Sequence, residues 1–325
     1  MKIRKIRATQ QNIVFALFVL MFAGFGLFLR GFAQWDNILT LVQNVAILGI
    51  LGLGMALVVI GRGIDISMIA ALAVPSGLLL QLVQNGMPLA NACVVAAGLS
   101  LAFGLVNGWL IAYAEVPSLF TTLASGLFLA GLGQAFFFQL EVVQWSAPLD
   151  PIAGFGRGTL AGLPMPVVMF GAASVLVALF LRRLRAGAFI YAIGDNPFAA
   201  RATGLPTRPI VVLEYVLAAS IGLFAGIVMA ASVNSMPTRV YNSTMIYDVV
   251  LVIVLGGIGL SGGRGGVSNV IIGTLLIGTM LNGMTIMDIS YSVQNIIKGV
   301  VLLAAILIDS ILNPRNEETA QQGDI

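Results

Sequence analysis

Ionisable side chains are rare inside the long apolar segments of this chain, where they could carry protons or ions. Glu214, Asp248, Lys298 and Asp309 are the examples, and each lies toward one end of its segment. Such positions are typical of paired or snorkelling side chains. The chain contains no histidine, which is the commonest proton relay and metal ligand. The sequence therefore argues against coupling to a proton or sodium gradient, and it predicts no metal site.

Carboxamides are a more informative group of polar residues. Asn44, Asn107, Asn234 and Asn282 lie in or beside apolar segments. An amide in lipid is costly unless it is paired. These residues therefore either form hydrogen bonds between helices or line a pathway for a neutral, hydroxyl-rich solute. Both interpretations remain open, and the four residues are the candidates for a pathway.

Two glycine-rich segments resemble each other and lie between pairs of apolar segments. Gly61–Ser67 reads GRGIDIS, and Gly257–Arg264 reads GIGLSGGR. Asp65 or Ser67 can accept hydrogen bonds from the first N–H groups of the next helix. A rigid corner of this kind serves as a helix cap, as part of a gate, or as both. An internal repeat is an open alternative.

The residues that we predict to form or border an inner gate lie in these two corners. They are Gly63, Asp65, Ser67, Gly256, Gly257, Ser261, Gly262 and Gly263.

Residues 182–209 form a basic segment, punctuated by glycine and proline, in an otherwise apolar chain. It holds five arginines, and Asn196 to Thr203 can form one short helix. Asp195 or Asn196 can cap that helix, and Pro197 suits its first turn. This combination predicts a docking surface for a soluble partner. The predicted contact residues are Gly194, Asp195, Asn196, Ala199, Ala200, Arg201 and Gly204. Arg201 either anchors the partner or faces lipid headgroups.

No catalytic motif is visible. The sequence lacks HExxH and any pairing of Cys or Ser with His, and GGRGG at 262–266 is not the phosphate loop GxxxxGK[ST]. The chain is therefore not predicted to be an enzyme, and any ATP would bind to another chain. No basic patch for nucleic acid is present.

Composition predicts an all-α polytopic membrane protein. Hydrophobic residues make up 59% of the chain and charged residues 9%, with a mean hydropathy of +1.02. Helical spans need about 20 apolar residues. The ten predicted segments are 12–30, 38–61, 66–84, 89–112, 118–138, 164–182, 211–233, 245–260, 267–284 and 292–311. Segment 66–84, which contains Pro75, and the short pair 245–260 and 267–284 could instead form half-helices or re-entrant hairpins.

Basic residues set the predicted orientation. With the N-terminus inside, twelve of the 16 Lys and Arg residues fall in inner loops, and Arg30, Arg157 and Arg239 fall in outer loops. This bias favours cytoplasmic N- and C-termini. We interpret the basic N-terminus and its apolar run as an uncleaved first span rather than a signal peptide. The loop 139–163 is expected outside, and 313–325 is expected to be a polar tail.

Three blocks of sequence resemble the permease subunits of ribose- and xylose-type sugar ABC importers. Val59–Ser67 (VIGRGIDIS) is similar to that family's GGIDLS corner. Gly187–Gly204 (GAFIYAIGDNPFAARATG) is similar to its cytoplasmic loop GRYIYAIGGNEEAARLSG. Val254–Gly265 (VLGGIGLSGGRG), followed by LNG at 281–283 and KGVVLLAAILID at 298–309, is similar to its C-terminal part.

The chain also departs from the family pattern. Ala188 stands where the family usually has Arg, and Pro197 and Phe198 replace a common acidic pair. Asp248 lies in a run that keeps only part of the family's YELDAIA-like sequence. The departures at 188, 197 and 198 indicate where pairing with a particular partner differs.

The resemblance implies a permease domain over residues 1–325, with a fold like that of type II ABC importers, in a bacterial cytoplasmic membrane. Two permease chains would form a pathway for a monosaccharide or similar polyol. Separate ATPase subunits would bind ATP and Mg²⁺, so this chain would hold no cofactor, and residues 182–209 would be the coupling loop. An extracytoplasmic binding protein would deliver the sugar. A secondary, ion-coupled sugar or metabolite transporter is the alternative.

Overall fold

The structure is a computed structural model that describes residues 10–138 and 141–312. The basic N-terminal residues 1–9, the predicted polar tail 313–325 and residues 139–140 lie outside the described residues. The side chain of Asp309 lies outside them as well.

Each of the ten predicted apolar segments forms a helix. These helices are α1 (Gln10–Phe28), α2 (Trp35–Ile60), α3 (Met68–Gln84), α4 (Leu89–Ala112), α5 (Ser118–Leu132), α6 (Met165–Arg183), α9 (Thr207–Val233), α10 (Met245–Leu255), α11 (Val267–Ile286) and α12 (Tyr291–Leu312). A π-helical turn, Gly133–Phe137, extends α5. The two shorter helices α7 (Arg185–Asp195) and α8 (Pro197–Ala202) lie between α6 and α9.

Within the described residues, seven helices are long and apolar enough to cross a membrane, and α3, α10 and the stretch Tyr291–Leu307 of α12 are shorter apolar helices. The open question about segment 66–84 is answered by α3, which continues through Pro75 as one helix. Of the pair 245–260 and 267–284, α10 has 11 residues and α11 has 20. The chain is a polytopic helical membrane protein.

The buried centre of the bundle is α3, in which all residues except Leu82 and Gln84 are buried. A helix that is apolar on every side either spans lipid or is buried in a core, and α3 is surrounded by other helices. Helix α9 packs closely against α3, because a Cβ at Gly222 would lie 3.2 Å from the Cβ of Ala71. Most of α2 is buried as well, so α2, α3 and α9 form the core.

Helices α4 and α9 are in backbone contact through two glycines one turn apart. A Cβ at Gly104 would lie 2.7 Å from Val216 Cα, and one at Gly108 would lie 2.6 Å from Val212 Cα. Small residues at this spacing allow close helix packing in lipid, where the hydrophobic effect does not drive association.

The helix ends lie at two faces of the bundle. At one face, which we call the corner end, α2 and α4 end and α9 begins, and Arg208 Nη2 lies 3.0 Å from Glu115 Oε1. The opposite face, the strand end, contains the C-terminus of α3, where Gln84 Nε2 donates to the carbonyl of Gln144 at 2.6 Å.

The strand end carries structure that the helical prediction did not include. Strand β1 (Val142–Gln144) pairs antiparallel with β4 (Ser235–Pro237), and β2 (Thr159–Leu160) pairs with β3 (Leu163–Pro164). The predicted irregular loop 139–163 also contains a 3₁₀ segment, Ala147–Phe155. The first pairing buries Val143 and Met236, which explains why a short strand forms beside α9.

The basic segment 182–209 contains two helices, whereas the sequence predicted one. Helix α8 lies within the predicted 196–203, and α7 precedes it. The buried residues of α7 are Gly187, Ile190, Ile193 and Gly194. This spacing forms one apolar helical face, and the neighbouring arginines masked it in the sequence.

The contact between α4 and α9 generates a stability prediction. We expect Gly108→Ala to lower stability by about 1–3 kcal/mol, because the new methyl group meets backbone that cannot move aside. The measurement is thermal unfolding of the purified protein in detergent.

Gly98 in the same helix is the matched control, because a Cβ there would have nothing within 4 Å. Gly98→Ala is expected to be neutral or to stabilise by up to about 1 kcal/mol through helix propensity. Equal effects of the two substitutions would contradict the backbone contact.

Candidate functional site

The first corner, Gly61–Ser67, is held in place by hydroxyl groups of α5. Ser118 Oγ accepts a hydrogen bond from the backbone N–H of Ile64 at 3.2 Å, and Thr122 Oγ1 accepts one from Ile66 at 3.1 Å. Arg62 adopts a φ of 75°, which is uncommon for a residue with a side chain. The corner is therefore a fixed turn whose backbone groups are satisfied from a neighbouring helix.

Asp65 organises the start of α3. Its Oδ1 accepts from the backbone N–H of Ser67 at 2.9 Å and from Ser67 Oγ at 2.5 Å. Ser67 occupies the N-cap position but makes no side-chain cap bond of its own. Burial raises the pKa of the Asp65 carboxyl from 3.8 to about 6, although its hydrogen bonds to Ser67 lower it.

Two side chains of α9 pack onto the glycines of this corner. A Cβ at Gly61 would overlap the carboxylate of Glu214, and one at Gly63 would lie 2.5 Å from Tyr215 Oη. Both α9 residues are 1% exposed. Among the described residues, Glu214 Oε1 has no hydrogen-bond partner. The two glycines therefore let these side chains of α9 pack directly against the backbone of the corner.

The second corner, 256–266, is shaped by glycines with positive φ. Gly257, Gly262, Gly263 and Gly265 have φ values of 83°, 82°, 71° and 104°, which residues with a side chain rarely adopt. The buried amide of Asn269 in α11 donates to the carbonyl of Gly256 at 2.7 Å. It satisfies a carbonyl at the C-terminus of α10 that has no partner within that helix.

The two corners meet each other and α7 at one place, which we call the corner junction: Ile60, Gly194 and Gly263. Gly263 N donates to the carbonyl of Ile60 at 2.8 Å. A Cβ at Gly194 would overlap that same carbonyl oxygen and would lie 2.5 Å from Gly263 N. Tyr191 Oη donates to the carbonyl of Gly265 at 2.8 Å. Helix α7 therefore ends in backbone contact with both corners.

Helix α8 projects from this junction with a defined cap. Asn196 Oδ1 accepts from the backbone N–H groups of Phe198 at 3.0 Å and Ala199 at 2.9 Å. Of the two cap candidates, Asn196 is thus the one that caps the helix, and Pro197 lies at its start. Gly204, with a φ of 79°, follows the helix. Ala200 is buried, whereas Phe198, Ala199 and Arg201 are exposed.

The four amides predicted for a pathway lie at four separate positions. Asn107 is buried and donates to Ser67 Oγ at 3.1 Å. Asn282 exchanges hydrogen bonds of 3.0 and 3.1 Å with Asn37. Asn234 ends α9 in a left-handed conformation, and Asn44 is exposed on α2.

An ion pair links α10 and α12. Lys298 Nζ lies 2.8 Å from Asp248 Oδ1, with side chains that are 6% and 15% exposed. Lys298 also donates to Thr244 Oγ1 at 3.3 Å. The two charges thus compensate each other inside the protein, as the sequence led us to expect for ionisable residues in apolar segments.

The structure brings the predicted corner residues and Gly194 together. Sequence reasoning did not select Asn269, Tyr191, Glu214 or Tyr215 for this site. Their contact partners lie 13 to 153 positions away in sequence. The only feature near these residues in the sequence that could have indicated such a contact is a polar group near a predicted helix end.

The helices and their arrangement are those of a polytopic helical membrane protein. The chain belongs to the family described as branched-chain amino acid transport system / permease component, whose model matches residues 37–306. It acts as a transport subunit and is not an enzyme. The resemblance to sugar ABC permeases stated above is confirmed.

Several characterised relatives are permeases named for sugars. The chain is 32% identical to the ribose import permease protein RbsC of Bacillus subtilis (strain 168), over 84% of each chain. It is 31% identical to the galactofuranose transporter permease protein YtfT of Escherichia coli (strain K12), over 83% of this chain and 78% of the relative. It is 28% identical to the xylose transport system permease protein XylH of Haemophilus influenzae, over 84% and 88%. No solved structure matches the chain.

The Asp65 cap predicts a pH dependence of stability. Because the pKa of folded Asp65, about 6, lies above its ordinary value of 3.8, the fold is more stable when Asp65 is protonated than when it is ionised. That contribution is complete below pH 3.8 and is lost as the pH rises through about 6, with a total of about 3 kcal/mol. We expect Asp65→Asn to remove this dependence, as measured by thermal unfolding between pH 4 and about 8.

Asp65→Ala is the companion variant. It removes the acceptor for both Ser67 groups, so we expect a loss of about 1–3 kcal/mol relative to Asp65→Asn at every pH. If the Ala and Asn variants were equally stable, the Asp65–Ser67 hydrogen bonds would not support the corner.

The buried ion pair generates a second prediction. Lys298→Met leaves Asp248 in an apolar environment without its partner, so we expect a loss of about 3–5 kcal/mol in unfolding assays. The double variant Asp248→Leu and Lys298→Met removes both charges and is expected to recover most of that loss. A double variant as unstable as the single one would show that the pair is not the cause.

Proposed function

We propose that this chain is the membrane subunit of an ATP-driven importer for a monosaccharide or a related small polyol. The observation that carries the proposal is the corner junction, where the basic helical segment is in backbone contact with both glycine corners. The names of the relatives, which are permeases for ribose, galactofuranose and xylose, support a sugar as the solute.

A separate ATPase would act on α8. The exposed face of this helix, with Phe198 49% exposed, presents an apolar side chain to a partner, while Ala200 fixes the other face to the bundle. The coupling residues are Gly194, Asp195, Asn196, Ala199, Ala200, Arg201 and Gly204. ATP and Mg²⁺ would bind to that partner, because the phosphate-loop motif is absent from this sequence.

Displacement of α8 would reach the gate through α7. Gly194 has no side chain and touches the carbonyl of Ile60 and the amide of Gly263 directly. Close-packed backbone transmits a rigid-body movement, because no side chain between the segments can rotate to absorb it. The gate itself is formed or bordered by Gly63, Asp65, Ser67, Gly256, Gly257, Ser261, Gly262 and Gly263.

The sugar pathway would lie between this chain and a second permease chain, either a copy or a sister. Asn44 supports this arrangement, because its side chain is exposed on α2. It lies about 14 Å along the helix axis from Trp35, the first residue of α2, and thus inside the apolar span. An exposed amide inside an apolar helix needs a polar partner or a water-filled cavity. Asn107, Asn234 and Asn282 remain pathway candidates that would act after rearrangement, because their amide or backbone groups are hydrogen-bonded within this chain.

The corner end would face the bacterial cytoplasm. Arginine residues 62, 182, 183, 185, 201, 208 and 264 belong to segments at this end, as expected for the inner side of a membrane protein. The strand end would receive the sugar from an extracytoplasmic binding protein. Its loop is ordered by Arg157, which stacks 4.6 Å from the ring centroid of Trp145 and donates from Nε to the carbonyl of Ala231 at 3.1 Å.

Replacement of residues 195–203 by a Gly/Ser linker tests this function. We expect sugar uptake and sugar-stimulated ATP hydrolysis by the complete complex to be abolished, because a flexible linker cannot transmit displacement to α7. Membrane insertion is expected to be unchanged, since the replaced residues lie outside the apolar helices. The measurements are radiolabelled uptake of ribose, xylose and galactose and ATPase activity in proteoliposomes.

Two single substitutions test whether α8 contacts the ATPase. Phe198→Ala is expected to weaken co-purification with the ATPase at least several-fold, as expected for an apolar anchor at an interface. Phe128→Ala, at a residue that is 68% exposed on α5, is the matched control and should leave co-purification with the ATPase unchanged. Normal uptake by the linker variant, or uptake that follows an ion gradient without ATP, would refute the ATP-driven mechanism and favour a secondary transporter.

A further inference from the structure

Five polar side chains meet around the first turns of α10 and α12, and we call them the polar cluster: Thr244, Asp248, Tyr291, Asn295 and Lys298. Thr244 Oγ1 lies 2.8 Å from Tyr291 Oη and donates to Asn295 Oδ1 at 3.4 Å. Lys298 Nζ lies 3.3 Å from Thr244 Oγ1 and 2.8 Å from Asp248 Oδ1. One continuous polar network therefore connects the two helices.

The polar cluster is open on one side, although it lies in apolar helices. Tyr291 is 61% exposed, and Tyr247, which precedes Asp248, is 58% exposed. Charged side chains within membrane helices face the interior of the protein or a water-filled cavity, because lipid cannot solvate them. The open side of the cluster is therefore expected to face water in the assembled permease.

The charges of the cluster favour a neutral ligand that bears hydroxyl groups. Asp248 and Lys298 have opposite charges close together, so the pair repels neither a donor nor an acceptor but gives no net attraction to an ion. Lys298 has three N–H donors, and Asp248 and Thr244 engage two of them. A hydroxyl group donates to a carboxylate and accepts from an ammonium group. Neighbouring hydroxyl groups of a sugar can thus bind both charges.

The exposed tyrosines supply the apolar part of such a site. The ring of Tyr291 has its centroid 5.8 Å from Lys298 Nζ, and Tyr247 adjoins Asp248 in α10. Tyrosine offers a large apolar ring together with a polar hydroxyl group. Small-molecule sites combine aromatic side chains with a few placed polar groups, and the cluster with these two rings has that composition.

An apolar cavity continues from Tyr247 toward the two corners. It has a volume of about 330 Å³, and its lining includes Ile64 from the first corner and Leu260 from the second. Val250 on α10 and Ile306 on α12 also line it. The helices that carry the polar cluster therefore also form a wall of this cavity, with the cluster on the side of the strand end.

We infer that the polar cluster, together with the rings of Tyr247 and Tyr291, is the site at which the sugar binds inside the pathway. This inference rests on the proposed function and locates the pathway on α10 and α12. Hydroxyl groups of the sugar would bind Asp248 and Lys298, while its C–H face would pack on a tyrosine ring. An apolar constriction opposes the passage of water and polar solutes, so the sugar would remain in the cluster until the corners separate.

Thiol modification of a Tyr247→Cys variant tests the site. The chain has one cysteine, so Cys93→Ser provides a background without other thiols. The complete complex is reconstituted in proteoliposomes and treated with a charged methanethiosulfonate reagent. We expect rapid modification, which ribose, xylose or galactose slows several-fold. Trimethylamine N-oxide at the same osmolality has no hydroxyl group of a sugar and is expected to leave the rate unchanged.

Ile296→Cys is the matched control. Ile296 is 65% exposed and lies two residues before Lys298, roughly 160° around α12 from it. Its depth along the helix is therefore similar, but it faces away from the cluster. The reacting thiolate forms poorly in apolar surroundings, so we expect modification on the order of tenfold slower than that of the Tyr247→Cys variant, without an effect of sugar.

A second pair of variants tests the ring by transport. Tyr247→Phe keeps the apolar face and is expected to retain most of the sugar uptake by the complete complex. Tyr247→Ala removes the face and is expected to reduce uptake on the order of tenfold. Equal uptake by these two variants would exclude the ring from the site.

Two results of the thiol experiment would also overturn the inference. Modification of the Tyr247→Cys variant as slow as that of the Ile296→Cys variant would place this face in lipid or under a second chain. Modification that none of the sugars slows would mean that no sugar binds there. Uptake that follows an ion gradient, with protection by sugar retained, would instead refute the ATP-driven importer and support the site.

Discussion

The carbonyl oxygen of Ile60 holds together the segments that meet at the corner end. It lies in the last turn of α2, where the helix leaves its final carbonyls without internal partners, and it accepts its hydrogen bond from Gly263, about 200 residues away. Gly194 covers the same oxygen so closely that a methyl group would overlap it. One backbone acceptor thus fixes the relative positions of α2, the second corner and α7. Any side chain at Gly194 would separate all three segments.

The sequence predicted the helices well because lipid imposes a simple rule. A span must be apolar and must satisfy its own backbone, so apolar runs alone located α1 to α6 and α9 to α12. The corners were recognised from their glycines, but their contact with each other was not, since nothing local to Ile60 indicates Gly263 as its partner. Helix α7 was missed although its apolar residues have helical spacing, because arginine and glycine around it indicated a loop. Glu214 was noticed as a charge, yet its fit over Gly61 depends on three-dimensional packing.

Several polar side chains inside the bundle are paired with one another. Asn107 supports Ser67, Asn282 pairs with Asn37, and Asp248 pairs with Lys298. Such pairs satisfy groups that would be costly in lipid. They also compete with a sugar for the same hydrogen bonds. A pathway through this chain therefore favours amides that are exposed in the single chain, such as Asn44, over those already paired.

Helix α8 is too short to hold its position alone, because isolated helices of fewer than about 12 residues are marginal in water. Its order comes from the Asn196 cap at one end and from buried Ala200 on one face. Both features leave Phe198 and Arg201 directed away from the bundle core, one apolar and one charged. The same six-residue helix can thus present both an apolar and a charged contact to a soluble partner. Because α7 joins it to the corner junction without an intervening side chain, either contact would act on the same backbone.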